Sequence, residues 1–428
     1  MLATIIIMFF ILLFLGVPIA YSMGVTAMYY LIMSPTLSGM VFAQKVYTAT
    51  DSFSLMAIPF FMFAGDVMNA SGITNRLVSF ALALVGHFRG GLAQASVVAG
   101  TLMAGISGSG NADATAIGGM MLPMFEKEGY EEGFAVSTVA AAAALGPIIP
   151  PSIIMVIYAN TVNLPIGRMF MAGIVPGLLI AIAYMIHINF YCRKHNIVGH
   201  KRATAKEMGK ATVNALGALV MPLIIVGGVL FGVFTATEAG VVASVYGIIY
   251  GIISRKLTLD IIIKSLKNSM KATTVPVFIV AMASVFSYLL TIENMPTYVI
   301  GAITSLTDNT YVIMILVILL VIFLGMFIDG TAIVVMFVPL LTPMAASYKI
   351  DTMYFAMIVV LTIIIGGLTP PVGITFYIVS SVRGTPLTRV VPEVWKFAVA
   401  ALVVVLACVF VPNLLLAVPN YFMGAYGL

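Results

Sequence analysis

The chain has 428 residues, 62% hydrophobic and 8% charged, with a net charge of +5. A soluble domain carries roughly 25% charged residues, so these proportions exclude a water-soluble core and leave a polytopic membrane protein. The sequence has no GxxxxGK[ST] phosphate loop, which argues against ATP use, and its cysteines and histidines show neither disulfide pairing nor metal-ligand spacing.

The N-terminal stretch "MLATIIIMFFILLFLGVPIA" lacks a basic leader region and reads as the first span rather than a signal peptide. Apolar runs long enough to cross a bilayer lie at 3–33, 55–88, 133–160, 169–191, 212–234, 235–253, 273–291, 352–382 and 394–418. The stretch 34–54, with Lys45 and Asp51, and the stretch 255–271 read as amphipathic elements on the membrane surface. Two regions, 91–126 and 311–346, differ from the spans. Each pairs two short apolar segments around a polar, Gly-rich centre, the pattern of a re-entrant hairpin. The expected fold is an all-α polytopic membrane protein of about ten transmembrane helices plus two re-entrant helical hairpins.

Lys and Arg cluster in three loops, 193–206, 255–271 and 383–389. All three fall on the cytoplasmic side in a single consistent topology. A shift of 220 positions then aligns the chain with itself at its breaker residues. Gly105 meets Gly325, Gly110 meets Gly330, Pro123 meets Pro343, Gly146 meets Gly366, and the pair Pro150–Pro151 meets Pro370–Pro371. Each unit is a hairpin followed by a broken helix, and the loop charges turn the two units upside down. Such an inverted-topology repeat, with discontinuous helices at the midplane, marks secondary transporters. The expected division is 1–90 scaffold helices, 91–168 first hairpin unit, 169–310 scaffold and connecting helices, 311–382 second hairpin unit and 383–428 C-terminal helix.

The hairpin tips read "SGSGNADAT" (107–115) and "GMFIDGTA" (325–332). Polar groups at mid-membrane depth are costly unless they line a cavity or bind something. Prolines and glycines free backbone carbonyls at the breaks: Gly146 and the Pro150–Pro151 pair in the first, Gly366, Gly367 and the Pro370–Pro371 pair in the second. With Ser and Thr hydroxyls they make oxygen cages for a small hard cation; the first break has Ile149 where the second has Thr369, so the second site gains a hydroxyl. The natural pairing sets tip one on break one and tip two on break two. Na⁺ suits carbonyls better than a proton, although proton coupling stays open. Half-helix N-termini point positive ends at the same place and suit a carboxylate. Expected substrate contacts are Ser109, Asn111, Asp113, Thr115 and Ser152 on one side and Thr331, Thr369 and Thr375 on the other. Asp329 is assigned to the second cation site with Gly325; the alternative for Asp113 and Asp329 is that they cap the hairpin helices. Glu238 reads as an N-terminal cap and Arg168 as an interface anchor. Paired carboxylates or a nucleophile–base pair are lacking, so an enzyme is not expected.

Seven stretches carry a family resemblance: "AIPFFMFAGDVMNASGITNRL" (57–77), "GHFRGGLAQA" (86–95), "ISGSGNADATAIG" (106–118), "GPIIPPSIIMVIYA" (146–159), "MFMAGIVPGLL" (169–179), "GVFTATEAGVVA" (232–243) and "GGLTPPVGITFYI" (366–378). The chain resembles the large membrane subunit of tripartite ATP-independent periplasmic (TRAP) transporters along essentially its whole length. The resemblance implies import of an organic acid anion with Na⁺ by an elevator movement of the hairpin-bearing domain. Implied partners are a small four-helix membrane subunit and a periplasmic substrate-binding protein, in the bacterial inner membrane. By motif, Ser107, Ser109, Gly146 and Pro150 would belong to one Na⁺ site and Gly325, Gly366 and Thr369 to the other. Resemblance rather than chemistry favours sialic acid over a C4-dicarboxylate. A stand-alone carboxylate transporter of the same architecture is the alternative.

Overall fold

The computed structural model describes residues 2–424, and among them it is helical with no strand. The first stretch holds α1 (Leu2–Phe14), α2 (Ile19–Met33), α3 (Met40–Thr50), a 3-10 turn at Ser54–Met56, α4 (Ala57–Ala70) and α5 (Ile73–Val85). The first repeat unit follows as α6 (Gly91–Ser107), α7 (Gly110–Lys127), α8 (Glu132–Ala143) and α9 (Ile153–Val162). Then come α10 (Ile166–Lys194), α11 (Ala205–Leu230), α12 (Ala236–Ile253), α13 (Leu259–Ile292) and α14 (Met295–Thr304). The second unit is α15 (Thr310–Gly325), α16 (Gly330–Ser347), α17 (Thr352–Leu368) and α18 (Ile374–Arg383), before α19 (Leu387–Phe410) and α20 (Asn413–Met423). Of the described helices, α10 to α13, α16 and α19 are each long and apolar enough to cross a bilayer alone. The α3–α4 pair would pass only as one span bent by 57°.

Small residues set the tightest helix pair. Gly240, Ser244 and Gly247 recur on one face of α12 against α4. A methyl group on Gly240 would lie 3.0 Å from Phe60 Cβ, and Ser244 Oγ donates to the Phe60 carbonyl at 2.9 Å. Close backbone approach of this kind is how membrane helices gain packing energy in lipid. Helix α13 packs on α2, α3 and α4 on one side and on α16 of the second hairpin on the other. Helix α10 is embraced by α6, α9, α19 and α20.

The expected helix pairs are present as α6–α7 and α15–α16, although α16 is longer than expected and long enough to cross alone; both expected breaks interrupt helices, between α8 and α9 and between α17 and α18. Two local expectations change. The surface element 255–271 and the span 273–291 are one continuous helix, α13, with Pro276 inside it. Nothing between Leu259 and Val275 stops a helix, and Pro276 removes only one internal bond. Its N-terminal part buries Ser265 and Ser269 and leaves Leu259, Ile263 and Leu266 exposed. Arg168 is buried rather than anchored at an interface, and donates to Asn420 and to the Gly424 carbonyl. Glu238 does cap: with Thr235 it closes a capping box at the start of α12.

Candidate functional site

The first tip rests on the first break. Helix α6 stops at Ser107 because Gly108 turns left-handed (φ 63°), and Ser109 caps α7. The Gly108 carbonyl accepts the Ile153 amide at 3.3 Å, so the tip is bonded to the start of α9. A methyl group on Gly146 would lie 2.9 Å from both Asp113 Oδ2 and the Gly110 nitrogen; only a hydrogen fits where break meets tip. Ser107 Oγ donates to Asp113 Oδ1 at 2.7 Å and accepts the Ser109 amide at 3.2 Å. Asp113 is fully buried, and its Oδ2 has no hydrogen-bond partner.

The second tip rests on the second break in the same manner. Gly325, the last residue of α15, meets Gly366 backbone to backbone: a methyl on Gly366 would lie 2.7 Å from Gly325 Cα. The Gly373 amide donates to the Met326 carbonyl at 3.4 Å, which mirrors the bond between Ile153 and Gly108. Asp329 caps α16, accepting the Thr331 amide at 2.9 Å. Thr369 Oγ1 donates to the Ile365 carbonyl at 2.6 Å. Both proline pairs, 150–151 and 370–371, have cis peptide bonds. Capping therefore describes Asp329, whereas in the first unit the cap is Ser109 and Asp113 lies a turn further in.

This arrangement sorts the backbone dipoles. Helices α6, α8, α15 and α17 end at the tips and breaks, presenting partly negative C-terminal carbonyls. Helices α7, α9, α16 and α18 begin there, presenting partly positive amides. Cations suit the first set and anions the second. Between the two tips lies a cavity of about 600 Å³. Ser109, Asn111, Asp329, Thr331 and Thr375 line it, with Gly325 and Gly367. Asp113, Thr115 and Ser152 do not. Asp113 is sealed behind tip one, Thr115 is turned back to the Asn111 carbonyl, and Ser152 is buried as the cap of α9. Ile149 packs on Gly177 of α10, while its neighbours Gly146 and Pro150 face the tip. Among the described residues no lysine or arginine lines the cavity, so a bound anion would be held by amides and hydroxyls.

The sequence matches the family described as the tripartite ATP-independent periplasmic transporter, DctM component, over residues 6–414. The chain belongs to this family. It is 36% identical to the sialic acid TRAP transporter large permease protein SiaM of Vibrio cholerae, over 97% of both chains. It is 35% identical to the C4-dicarboxylate TRAP transporter large permease protein DctM of Pseudomonas aeruginosa, over 89% of both. Its fold is similar to that of the Alcanivorax borkumensis YdaH transporter, with a TM-score of 0.65 over 92% of this chain and 98% of the other at 13% identity. As a TRAP large permease it is a multi-pass integral membrane protein whose family works in a tripartite assembly.

In this TRAP permease one wall of the cavity comes from residues that sequence reasoning did not single out. Met62 of α4 and Ala272, Val275, Pro276 and Ile279 of α13 face the tips. They are apolar residues inside apolar helices, so no local signal separated them from lipid-facing positions. A second cavity, about 470 Å³, lies further along α13, lined by Val280, Ser284 and Ser287 together with Asp51, Ser52, Asn160 and Asn163. There Ser52 Oγ donates to Asn160 Oδ1 at 2.6 Å, joining the α3–α4 bend to α9.

Proposed function

We propose that this chain is the translocating subunit of a Na⁺-coupled importer for a small organic acid anion. The observation that carries the reading is the convergence of four half-helix N-termini on one cavity, with two tip-on-break carbonyl clusters beside it. The anion is a carboxylate, held by amide groups and by Ser109, Asn111, Thr331 and Thr375. Two Na⁺ ions bind where carbonyls converge, one among Ser107, Gly146 and Pro150, the other among Gly325, Gly366 and Thr369. Their charge offsets that of the anion, so the loaded cavity moves without a large net charge in the membrane.

The membrane is the bacterial inner membrane, crossed about ten times if each broken helix counts as one span. Transport runs as an elevator: the hairpin units carry the cavity along α13, which stays with α2, α3 and α4. A periplasmic binding protein delivers the substrate and a small membrane subunit holds the scaffold. Sialic acid is the first substrate to test, on the strength of the Vibrio cholerae relative, and C4-dicarboxylates the second.

Reconstitution into liposomes tests the reading. Uptake of radiolabelled sialic acid is expected only with an inward Na⁺ gradient, the small subunit and the cognate binding protein all present. Uptake without the binding protein would establish a stand-alone carboxylate transporter instead. A ligand screen on the binding protein fixes the substrate directly.

A further inference from the structure

We propose that Asp113, through Oδ2, is an anionic ligand of the first cation site; the inference rests on the Na⁺ coupling argued above. Four observations carry it. The carboxyl group is fully buried and absent from the cavity lining, so it cannot touch the transported anion. Its Oδ1 is held by Ser107 Oγ at 2.7 Å, while Oδ2 has no partner. That free oxygen faces Gly146, where a methyl group would come within 2.9 Å of it. Finally, the C-terminal ends of α6 and α8 meet at the same place and add their partly negative carbonyls.

A buried carboxylate with one oxygen unsatisfied is costly in a low-dielectric interior. A bound cation among these carbonyls satisfies it and gains a formal charge partner. The repeat sharpens the point. Asp113 aligns with Ile333 under the 220-position shift, and Ile333 is a fully buried apolar side chain. The other tip acid, Asp329, is spent on capping α16 and lines the cavity. The first site therefore holds its cation with a full negative charge. The second holds it with Thr369 and carbonyls alone, and the first binds more tightly.

Equilibrium binding of ²²Na⁺ to the purified protein tests this. Wild type is expected to show two phases of unequal affinity. Asp113→Asn should lose the tighter one, its Kd rising by roughly 100-fold. Asp329→Asn should keep it. Wild-type binding together with an unchanged affinity in Asp113→Asn would overturn the proposal while leaving Na⁺ coupling intact. Absence of Na⁺ binding in wild type would overturn the coupling itself. Should Asp113→Asn not fold, a map of the wild-type protein in NaCl decides. Cation density at about 2.4 Å from Oδ2 is the expected result, and density bound only by other oxygens overturns it.

Discussion

Backbone contact between Gly325 and Gly366 is the most exacting feature at the scale of single residues. Neither partner is a flexible side chain, so nothing can swing aside for an added methyl group. Gly366→Ala is expected to cost about 1–3 kcal/mol, read as a lower midpoint of thermal unfolding, and to abolish uptake. Gly119→Ala is the matched control, because its new methyl meets nothing within 4 Å; unchanged unfolding of Gly366→Ala would show that the second tip and its break tolerate separation. Hydroxyls matter differently. Thr369 Oγ1 spends its proton on the Ile365 carbonyl, which leaves its lone pairs for a cation. Thr369→Ala should raise the Na⁺ concentration for half-maximal uptake, and Thr369→Ser should restore it. An equal Na⁺ response in all three proteins would remove Thr369 from the second site. The paired glycines and prolines were legible in the sequence because breaker residues repeat at one fixed spacing. The fates of the two tip acids were not. Asp113 and Asp329 both sit in polar tips, and the contact with Gly146 marks the one that is sealed in while the other caps a helix.

Among elements, the hairpins and broken helices were readable because each contains its own stop signals. Helix α13 was misread as two pieces because its polarity changes along its length while its backbone does not. The cavity wall from α4 and α13 was invisible for a related reason: what makes Met62 or Val275 part of a site is a neighbour far away in sequence. The bond between Ser52 and Asn160 is of the same long-range kind, with 108 positions between its partners. It ties the α3–α4 bend to α9, so any sliding of the first unit along the scaffold must break it. With Ser52→Cys and Asn160→Cys together, oxidation is expected to form a cross-link that blocks uptake, and reduction to restore it. The native cysteines, Cys192 and Cys408, are buried and should give little background. Full cross-linking with undiminished uptake would mean that α9 does not leave the bend during transport.

For the molecule as a whole, the informative element is the stripe of α13 that both cavities share. Ala272, Pro276 and Ile279 face the tips, and Val280, Ser284 and Ser287 continue the stripe into the second cavity. In the topology that the basic loops predict, α13 starts on the cytoplasmic side, which would set the tip cavity against the inner half of the stripe and the polar cavity against the outer half. Sliding the hairpins from one half to the other replaces Pro276 by Ser284 as the facing residue. At 1.5 Å per residue this is a movement of about 12 Å. Spin labels at Met270→Cys on α13 and Gly119→Cys on α7 report it, since both positions are exposed. Their distance is expected to shift by several ångströms between Na⁺-free protein and protein with Na⁺ and substrate, up to this ~12 Å limit. A single distance under every condition would rule out sliding along α13 and confine transport to local opening of the hairpin tips.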